Sequence, residues 1–271
     1  MSNVANSEGE RSGSEEPATG VYLYAIVPEP PAVDLGDGIE KHHVYTIDEN
    51  SLKVVVSDLP VQKQLRPERK NLAAHQAVLS RLLDTSPAVL PFSFGTVADD
   101  VEGIKKLLAT HHQELIDQIE HLRGMTEVTV RLTYTAESPS MFEHLLAENP
   151  ALVQQRDQLF GPESTATRDD KIDFGRAVET ALGKMRDAYG RQIEEGLAGH
   201  VRDVKHLPCR KDNELARLAC LVDKSSVGGL EPMVQEVSKA FDDRFALEYA
   251  GPFPPFDFAL LRFKVADADL G

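Results

Sequence analysis

Glu127–Leu132, with the sequence EVTVRL, begins the part of the chain that decides the fold. Val128, Val130 and Leu132 alternate with polar residues, which is typical of a strand with one buried face. Two helical stretches, a hairpin of two strands, another helix and a final strand are predicted after it. This β-α-β-β-α-β order predicts a ferredoxin-like domain that carries extra helix in its first crossover. The elements after the first strand are predicted at Ser138–Gln158, Asp169–Leu197, Val201–Leu207, Leu215–Val222, Leu230–Phe245 and Ala246–Ala250.

The first half of the chain mixes strands and helices. Val21–Val27, with the sequence VYLYAIV, is a continuous β-prone run that suits a strand covered on both faces. Val101–Leu122 has apolar residues at spacings of three and four, which predicts one long amphipathic helix with His111 on its buried face. Strands are also predicted at His43–Ile47 and Leu52–Ser57, and a helix at Arg66–Leu83 with Leu72, His75, Leu79, Leu82 and Leu83 on its buried face.

Four regions are expected in this α+β protein. Residues 1–20 are rich in Ser, Glu and Gly and carry too little apolar surface to offset the entropy of ordering, which predicts a disordered acidic tail. Residues 21–123 form the predicted N-terminal α+β domain, and residues 124–250 form the ferredoxin-like C-terminal domain. Residues 251–271 are expected to be a C-terminal tail rich in aromatic side chains and proline.

The charge balance narrows the classes of partner. The 29 Lys and Arg residues against 44 Asp and Glu residues give a net charge of −15, which disfavours duplex nucleic acid and anionic membrane surfaces. No apolar run approaches the roughly 20 residues that a membrane helix needs. The N-terminus lacks the charged start and apolar core of a signal peptide. A cytosolic protein is therefore expected.

Two short segments carry the strongest signal beyond the fold. Leu90–Val97 (LPFSFGTV) has proline near its start and glycine near its end, which constrains the backbone at both ends. Gly251–Phe258 (GPFPPFDF) has three prolines that hold the chain extended, while its three phenylalanines offer large apolar surfaces. Neither segment holds a recognisable nucleophile, acid–base pair or metal-ligand set. Both segments therefore indicate interaction rather than catalysis.

The sequence patterns favour neither a catalytic site nor a metal site. Ser93 lies in Pro-Phe-Ser-Phe-Gly, whereas the serine-hydrolase elbow needs Gly-x-Ser-x-Gly because its nucleophile sits on a strained turn. The only i,i+4 pair of plausible metal ligands in the histidine-rich part of the chain is Asp117 and His121, and no His-Glu-x-x-His occurs there. No catalytic residue, cofactor or metal ligand is assigned. The two cysteines, Cys209 and Cys220, are expected to be free thiols on and beside a hairpin.

Taken together, the segments resemble the gas vesicle protein family that includes GvpL and GvpF. The resemblance runs over almost the whole chain after residue 20, and LPFSFGTV followed by GPFPPFDF is its most specific part. The family pattern usually has Arg at Ser93, and Trp and Tyr at Phe253 and Phe256. The shared segments are Tyr22–Pro28, His75–Val78, Leu90–Val97, Gly124–Val128, Asn213 with Ala219–Val222, and Gly251–Phe258.

The resemblance implies a role in forming gas vesicles, the hollow protein shells that make cells buoyant. Family members are accessory or minor structural proteins that contact the principal shell protein and other accessory proteins, and they are not known as enzymes. The resemblance also implies two domains followed by a tail. The alternative is a cytosolic ferredoxin-like enzyme or small-ligand-binding protein, which a deep apolar pocket with convergent polar groups would favour. Our hypothesis assigns partner binding to Phe92, Phe94, Phe253, Phe256 and Phe258.

Overall fold

The computed structural model describes residues 19–60, 65–137 and 139–261, and it confirms the α+β class. Most of the predicted acidic tail, and residues 262–271 of the predicted C-terminal tail, lie outside these described residues. Two antiparallel sheets follow one another along the chain, each with helices attached.

The N-terminal sheet is built around β1 (Thr19–Val27), which pairs with a neighbour on each side. Every residue of Val21–Val27 is buried, so the prediction of a strand covered on both faces is confirmed. The strand order is β2-β3-β1-β4, and β5 also pairs with β1. The other strands are β2 (Val44–Glu49), β3 (Leu52–Pro60), β4 (Leu90–Pro91) and β5 (Val97–Ala98).

Helix α1 (Arg69–Thr85) packs its buried residues onto this sheet, with one difference from the prediction. His75, Leu79, Leu82 and Leu83 are buried as expected, but Leu72 is 43% exposed and its prediction is wrong. The inward position of the first turn is Asn71 instead, whose side-chain amide donates to the Arg66 carbonyl at 3.1 Å.

The predicted long helix over residues 101–122 is two helices, α2 (Val101–Thr110) and α3 (His112–Leu122). They meet at His111, whose φ of −107° and ψ of 18° are not helical. The prediction that His111 is a buried core histidine is wrong, because its side chain is 40% exposed beside Glu114. The buried apolar residues keep a spacing of three, four and seven through the break, so the sequence pattern could not reveal it.

The C-terminal sheet has the strand order β7-β8-β6-β9, and every pairing is antiparallel. Two β-α-β units interleave in this order, as in a ferredoxin-like split βαβ fold. Its strands are β6 (Met125–Tyr134), β7 (Asp203–His206), β8 (Glu214–Asp223) and β9 (Phe245–Phe253), and its helices are α4 (Met141–Ala147), α5 (Pro150–Phe160), α6 (Arg168–Leu197) and α7 (Leu230–Ser238).

Several boundaries in this half differ from the predictions. Within the stretch predicted at Ser138–Gln158, Pro150 separates α4 from α5, because proline suits the first turn of a helix but not its interior. Helix α7 ends at Ser238 rather than at Phe245. Strand β9 continues to Phe253, so the first three residues of the predicted tail belong to the sheet. Cys220 lies on β8 opposite Val204, and Cys209 lies in the loop that joins β7 to β8.

One hydrophobic core is shared by the two sheets. It joins Leu23 and Ile26 of β1 to Met125 of β6, Leu221 of β8 and Phe258 after β9. Among the described residues, none of the helices combines the length and apolarity that crossing a bilayer requires.

Candidate interaction surfaces

The segment after β9, Pro254–Leu261, lies between the two sheets, and we call it the junction segment. Its entry is fixed by the Thr126 hydroxyl, which donates to the Phe253 carbonyl at 2.8 Å. The backbone N–H of Asp257 donates to Glu127 Oε2 at 2.9 Å. Because Glu127 is only 4% exposed, this contact is made inside the protein. The start of β6 therefore positions the junction segment.

Lys205 of β7 holds the same segment from the other sheet edge. Its Nζ donates to the Asp257 carbonyl at 2.7 Å and lies 5.1 Å from the centre of the Phe258 ring. That distance is within the range of a cation–π interaction. Phe258 itself is 5% exposed and belongs to the shared core.

Glu127 is the buried titratable group of this region. Its pKa is raised to about 8, chiefly because burial disfavours the charged carboxylate, and the Asp257 carboxyl raises it further. The Asp257 N–H and the Lys205 ammonium act in the opposite direction. Glu127 is therefore mostly protonated at neutral pH, and it holds the junction segment as a neutral hydrogen-bonding group.

The end of the junction segment is tied to helix α3. Leu260 N–H donates to Gln118 Oε1 at 2.7 Å, and Gln118 Nε2 donates back to the Leu260 carbonyl at 3.3 Å. This reciprocal pair satisfies both backbone groups of a residue whose side chain is 48% exposed. The junction segment is thus bonded to the N-terminal half through α3 and to the C-terminal half through β6 and β7.

The segment Leu90–Val97 is also fastened to the body. Phe92 is 6% exposed, and its N–H donates to the Tyr24 carbonyl at 2.9 Å. Phe94 is half-buried, with its ring centre 5.8 Å from that of His75. Gly95 has a φ of +90°, which glycine adopts readily, and its N–H donates to the Tyr22 hydroxyl at 3.1 Å. The turn at Gly95 follows Phe94, whose ring packs beside the rings of Tyr22 and His75.

His75 has a structural environment. Its Nδ1 lies 2.9 Å from the Tyr22 hydroxyl, and its ring stacks on Tyr24 at 5.6 Å between centres. Burial lowers the pKa of His75 to about 4, although the Phe92 backbone carbonyl raises it somewhat, so the imidazole is neutral at physiological pH. Ser93 is exposed, whereas His75 is 4% exposed and paired with Tyr22, so the two do not form the arrangement of a hydrolase.

The five predicted contact residues are divided between two hydrophobic clusters and the end of strand β9. Phe92 and Phe258 are buried in the same shared core. Phe94 and Phe256 both pack against the second cluster of that sheet, which contains Tyr22 and Tyr24. Phe253 is half-buried at the end of β9. Partner binding by these residues stays a prediction.

A second surface was missed by the sequence analysis. Helices α4 and α5 and the first half of α6 pack on each other around a small separate core of Leu146, Leu152 and Phe174, and we call this unit the helical arm. Phe160, at the end of α5, is 57% exposed and is the most exposed large apolar side chain among the described residues. Its signal in the sequence was an aromatic residue directly before Gly161-Pro162, at a helix end.

No cavity suited to an apolar ligand opens between α6, α7 and the C-terminal sheet. The space lined by Val130, Leu197, Met233 and their neighbours has no volume for even a water molecule. Within the described ranges, no three His, Cys, Asp or Glu side chains lie close enough to hold a metal ion. The features that would favour a ligand-binding protein are thus not found at this position.

Comparison with known proteins identifies the family. The model for the family described as gas vesicle synthesis protein GvpL/GvpF matches residues 20–260. The chain belongs to the GvpL/GvpF family. Gas vesicle protein F of Streptomyces sp. (strain CB03234) is 26% identical over 243 residues, covering 88% of this chain and 98% of that protein. Gas vesicle protein F of Microcystis aeruginosa (strain PCC 7806) is 24% identical over 245 residues, covering 89% and 98%.

Solved structures of GvpF share the fold. The crystal structure of GvpF from Microcystis aeruginosa superposes with a TM-score of 0.74 at 22% identity, covering 89% of this chain and 99% of that one. GvpF from Anabaena sp. PCC7120 gives a TM-score of 0.72 at 22% identity, covering 90% and 100%. The chain therefore shares the fold of these GvpF structures.

Proposed function

We propose that this GvpL/GvpF protein is an accessory or minor structural component that binds the principal shell protein and other accessory proteins while gas vesicles are assembled. It works without catalysis or a cofactor, in the cytoplasm and on gas vesicles. The match to the family over residues 20–260 is the observation that supports this proposal. The excess of acidic residues fits the same role, because a net charge far from zero keeps an apolar complex in solution.

The binding surface that we propose is formed by the two aromatic segments, with Phe94 and Phe256 against the N-terminal sheet and Phe253 at the end of β9. Phe94, Phe253 and Phe256 are half-buried, so each has ring surface that a partner can cover. Phe92 and Phe258 are buried in the shared core, where they fasten the two segments to the body of the protein. We keep the proposed division of the chain near residue 123 and move the end of the second half to Phe253, where β9 ends. The two halves share one hydrophobic core.

The test is capture of co-expressed principal shell protein by this chain and by two matched variants. The first variant is Phe253→Ala with Phe256→Ala, and the second is Val33→Ala with Phe142→Ala, two exposed apolar residues outside both aromatic segments. We expect the first to lose most of the captured shell protein, because truncating buried interface aromatics costs about 2 kcal/mol or more each. The second should capture as much as the unmodified chain.

The substitutions are chosen to leave the fold intact. Truncation after residue 250 would remove Phe258 from the shared core, so loss of binding could reflect unfolding. The circular dichroism of both double variants should match that of the unmodified protein. Equal capture by the folded Phe253/Phe256 variant would move the proposed surface elsewhere, and no capture by any form would count against the assembly role itself.

A further inference from the structure

The helical arm contains a groove, and the residues that line it are not among those that hold the junction segment. The groove runs between α5 and α6 and encloses about 200 Å³. Because one water molecule occupies about 30 Å³ of liquid, this volume holds about six waters or one large apolar side chain. It is lined by Gln155, Gln158, Leu159, Asp170, Asp173, Phe174 and Ala177.

The lining has an apolar base and polar sides of two kinds. Phe174 is 8% exposed, and Leu159 and Ala177 are half-buried, so these three form the base. The amides of α5 stand along one side, and the carboxylates of Asp170 and Asp173 stand along the other. None of the lining residues is a cation.

One of these carboxylates is held in place by the start of α6. Thr167 and Asp170 form a reciprocal capping box, in which Asp170 Oδ2 accepts from the Thr167 N–H at 2.8 Å and from its hydroxyl at 2.6 Å. Hydrogen bonding to Thr167 lowers the pKa of Asp170, so its negative charge is kept. Asp173 pairs with Arg176, but both side chains are more than 70% exposed, and such a pair exchanges readily with a competing cation.

An exposed aromatic residue extends the apolar surface beside the groove. The Phe160 ring contacts Phe174, with 5.8 Å between ring centres, and Lys171 lies 5.7 Å from the centre of the Phe160 ring. The Phe160 ring is 57% exposed. Exposed apolar surface beside a groove is typical of a place where another molecule binds.

We propose that this groove binds an amphipathic helix of a partner protein, which inserts an apolar side chain and places Lys or Arg beside Asp170 and Asp173. The carboxylates and the absence of cations in the lining select a basic occupant. A second copy of this chain fits less well, because it carries the same net charge of −15 and would be repelled. The groove is a second interaction surface, in addition to the one proposed at the junction segment.

The probe is a synthetic helical peptide of about 15 residues, with leucines at spacings of three and four among lysines. We expect it to perturb amide resonances of residues 155–177 in the full-length protein at near-physiological salt. A matched peptide with Glu in place of Lys should not bind there. Perturbations spread over the acidic surface, or none at millimolar peptide, would overturn the proposal.

Two variants locate the site by affinity. Ala177→Leu fills the groove and should weaken peptide binding about tenfold or more, whereas Ala73→Leu on the exposed side of α1 should change it less than twofold. Asp173→Asn should weaken binding about threefold, and its control Asp117→Asn should not. Equal affinity of all four variants would overturn the proposal.

The oligomeric state tests the remaining alternative, in which a second copy of this chain occupies the groove. Sedimentation that shows a dimer of the unmodified chain, lost on Ala177→Leu, would overturn the proposal in favour of a second copy. The peptide assay contains no gas vesicle shell protein, so its failure is distinct from failure of the assembly role.

Discussion

The junction segment and the helical arm are opposite in character. The junction segment is conspicuous in the sequence, yet Phe258 is buried and the backbone is bonded to α3, β6 and β7. The arm is inconspicuous in the sequence, yet it exposes Phe160 and carries a groove. A run of aromatic residues and proline can therefore stabilise the interior of a protein, while a helical sequence without unusual composition provides open surface.

Replacing one phenylalanine in each region should give the largest contrast. Phe258→Ala should lower the free energy of unfolding by about 3–5 kcal/mol, because it leaves a cavity in the shared core. Phe160→Ala should change it by less than about 0.5 kcal/mol, because the ring is mostly in water. Urea unfolding at fixed pH measures both. Similar losses of unfolding free energy in the two variants would show that the two regions contribute equally to stability.

The junction segment should also respond to pH through Glu127. Its pKa is about 8 in the folded protein and 4.5 without the fold, so the unfolded chain releases this proton first. The free energy of unfolding should therefore fall as pH rises from about 5 to about 8, by at most about 1.4 kcal/mol per pH unit.

The substitution Glu127→Gln tests this slope directly, because the amide imitates the neutral carboxyl. The variant should lose this part of the pH dependence and should gain stability relative to the unmodified chain near pH 8. Glu248→Gln, on the exposed face of β9, is the control and should keep the slope. An unchanged slope in Glu127→Gln would show that the proton is bound elsewhere.

Removing a helix cap in the helical arm should have a smaller and more local effect on stability. Thr167→Ala removes the side-chain cap of α6 and should cost about 1 kcal/mol. The loss should appear as faster hydrogen exchange at the start of α6, with little change in β6 and β8, because the arm has its own small core. Equal acceleration in the sheet would show that the arm and sheet open together.

Much of this fold can be predicted from local patterns of apolar and polar residues in the sequence. The alternation in β6 and the continuous apolar run of β1 predicted their strands, and the order of elements after residue 124 predicted the ferredoxin-like topology. The break at His111 escaped prediction because helical spacing continues on both sides of it. The exposure of Leu72 was not predicted, because the burial of the first turn of a helix depends on which other residues cover it. The spacing of apolar residues carries no information about that cover.

The candidate sites were harder to predict from the sequence than the fold was. Phe92 and Phe258 were chosen from their motifs, but only the packing of two sheets shows that both enter one core. Glu127 looked like a polar strand residue, and its burial depends on the return of the chain at Asp257. The groove of the arm depends on how α5 meets α6 across a loop, which no local pattern encodes.

The shared core has a consequence for synthesis on the ribosome. Leu23 and Ile26 leave the ribosome long before Phe258, which packs in the same core, is made. At roughly 5–20 residues per second, the first sheet waits on the order of ten seconds or more for its last core residue. During that interval the nascent chain exposes apolar surface that the finished protein hides, so the early product is the form most in need of a chaperone.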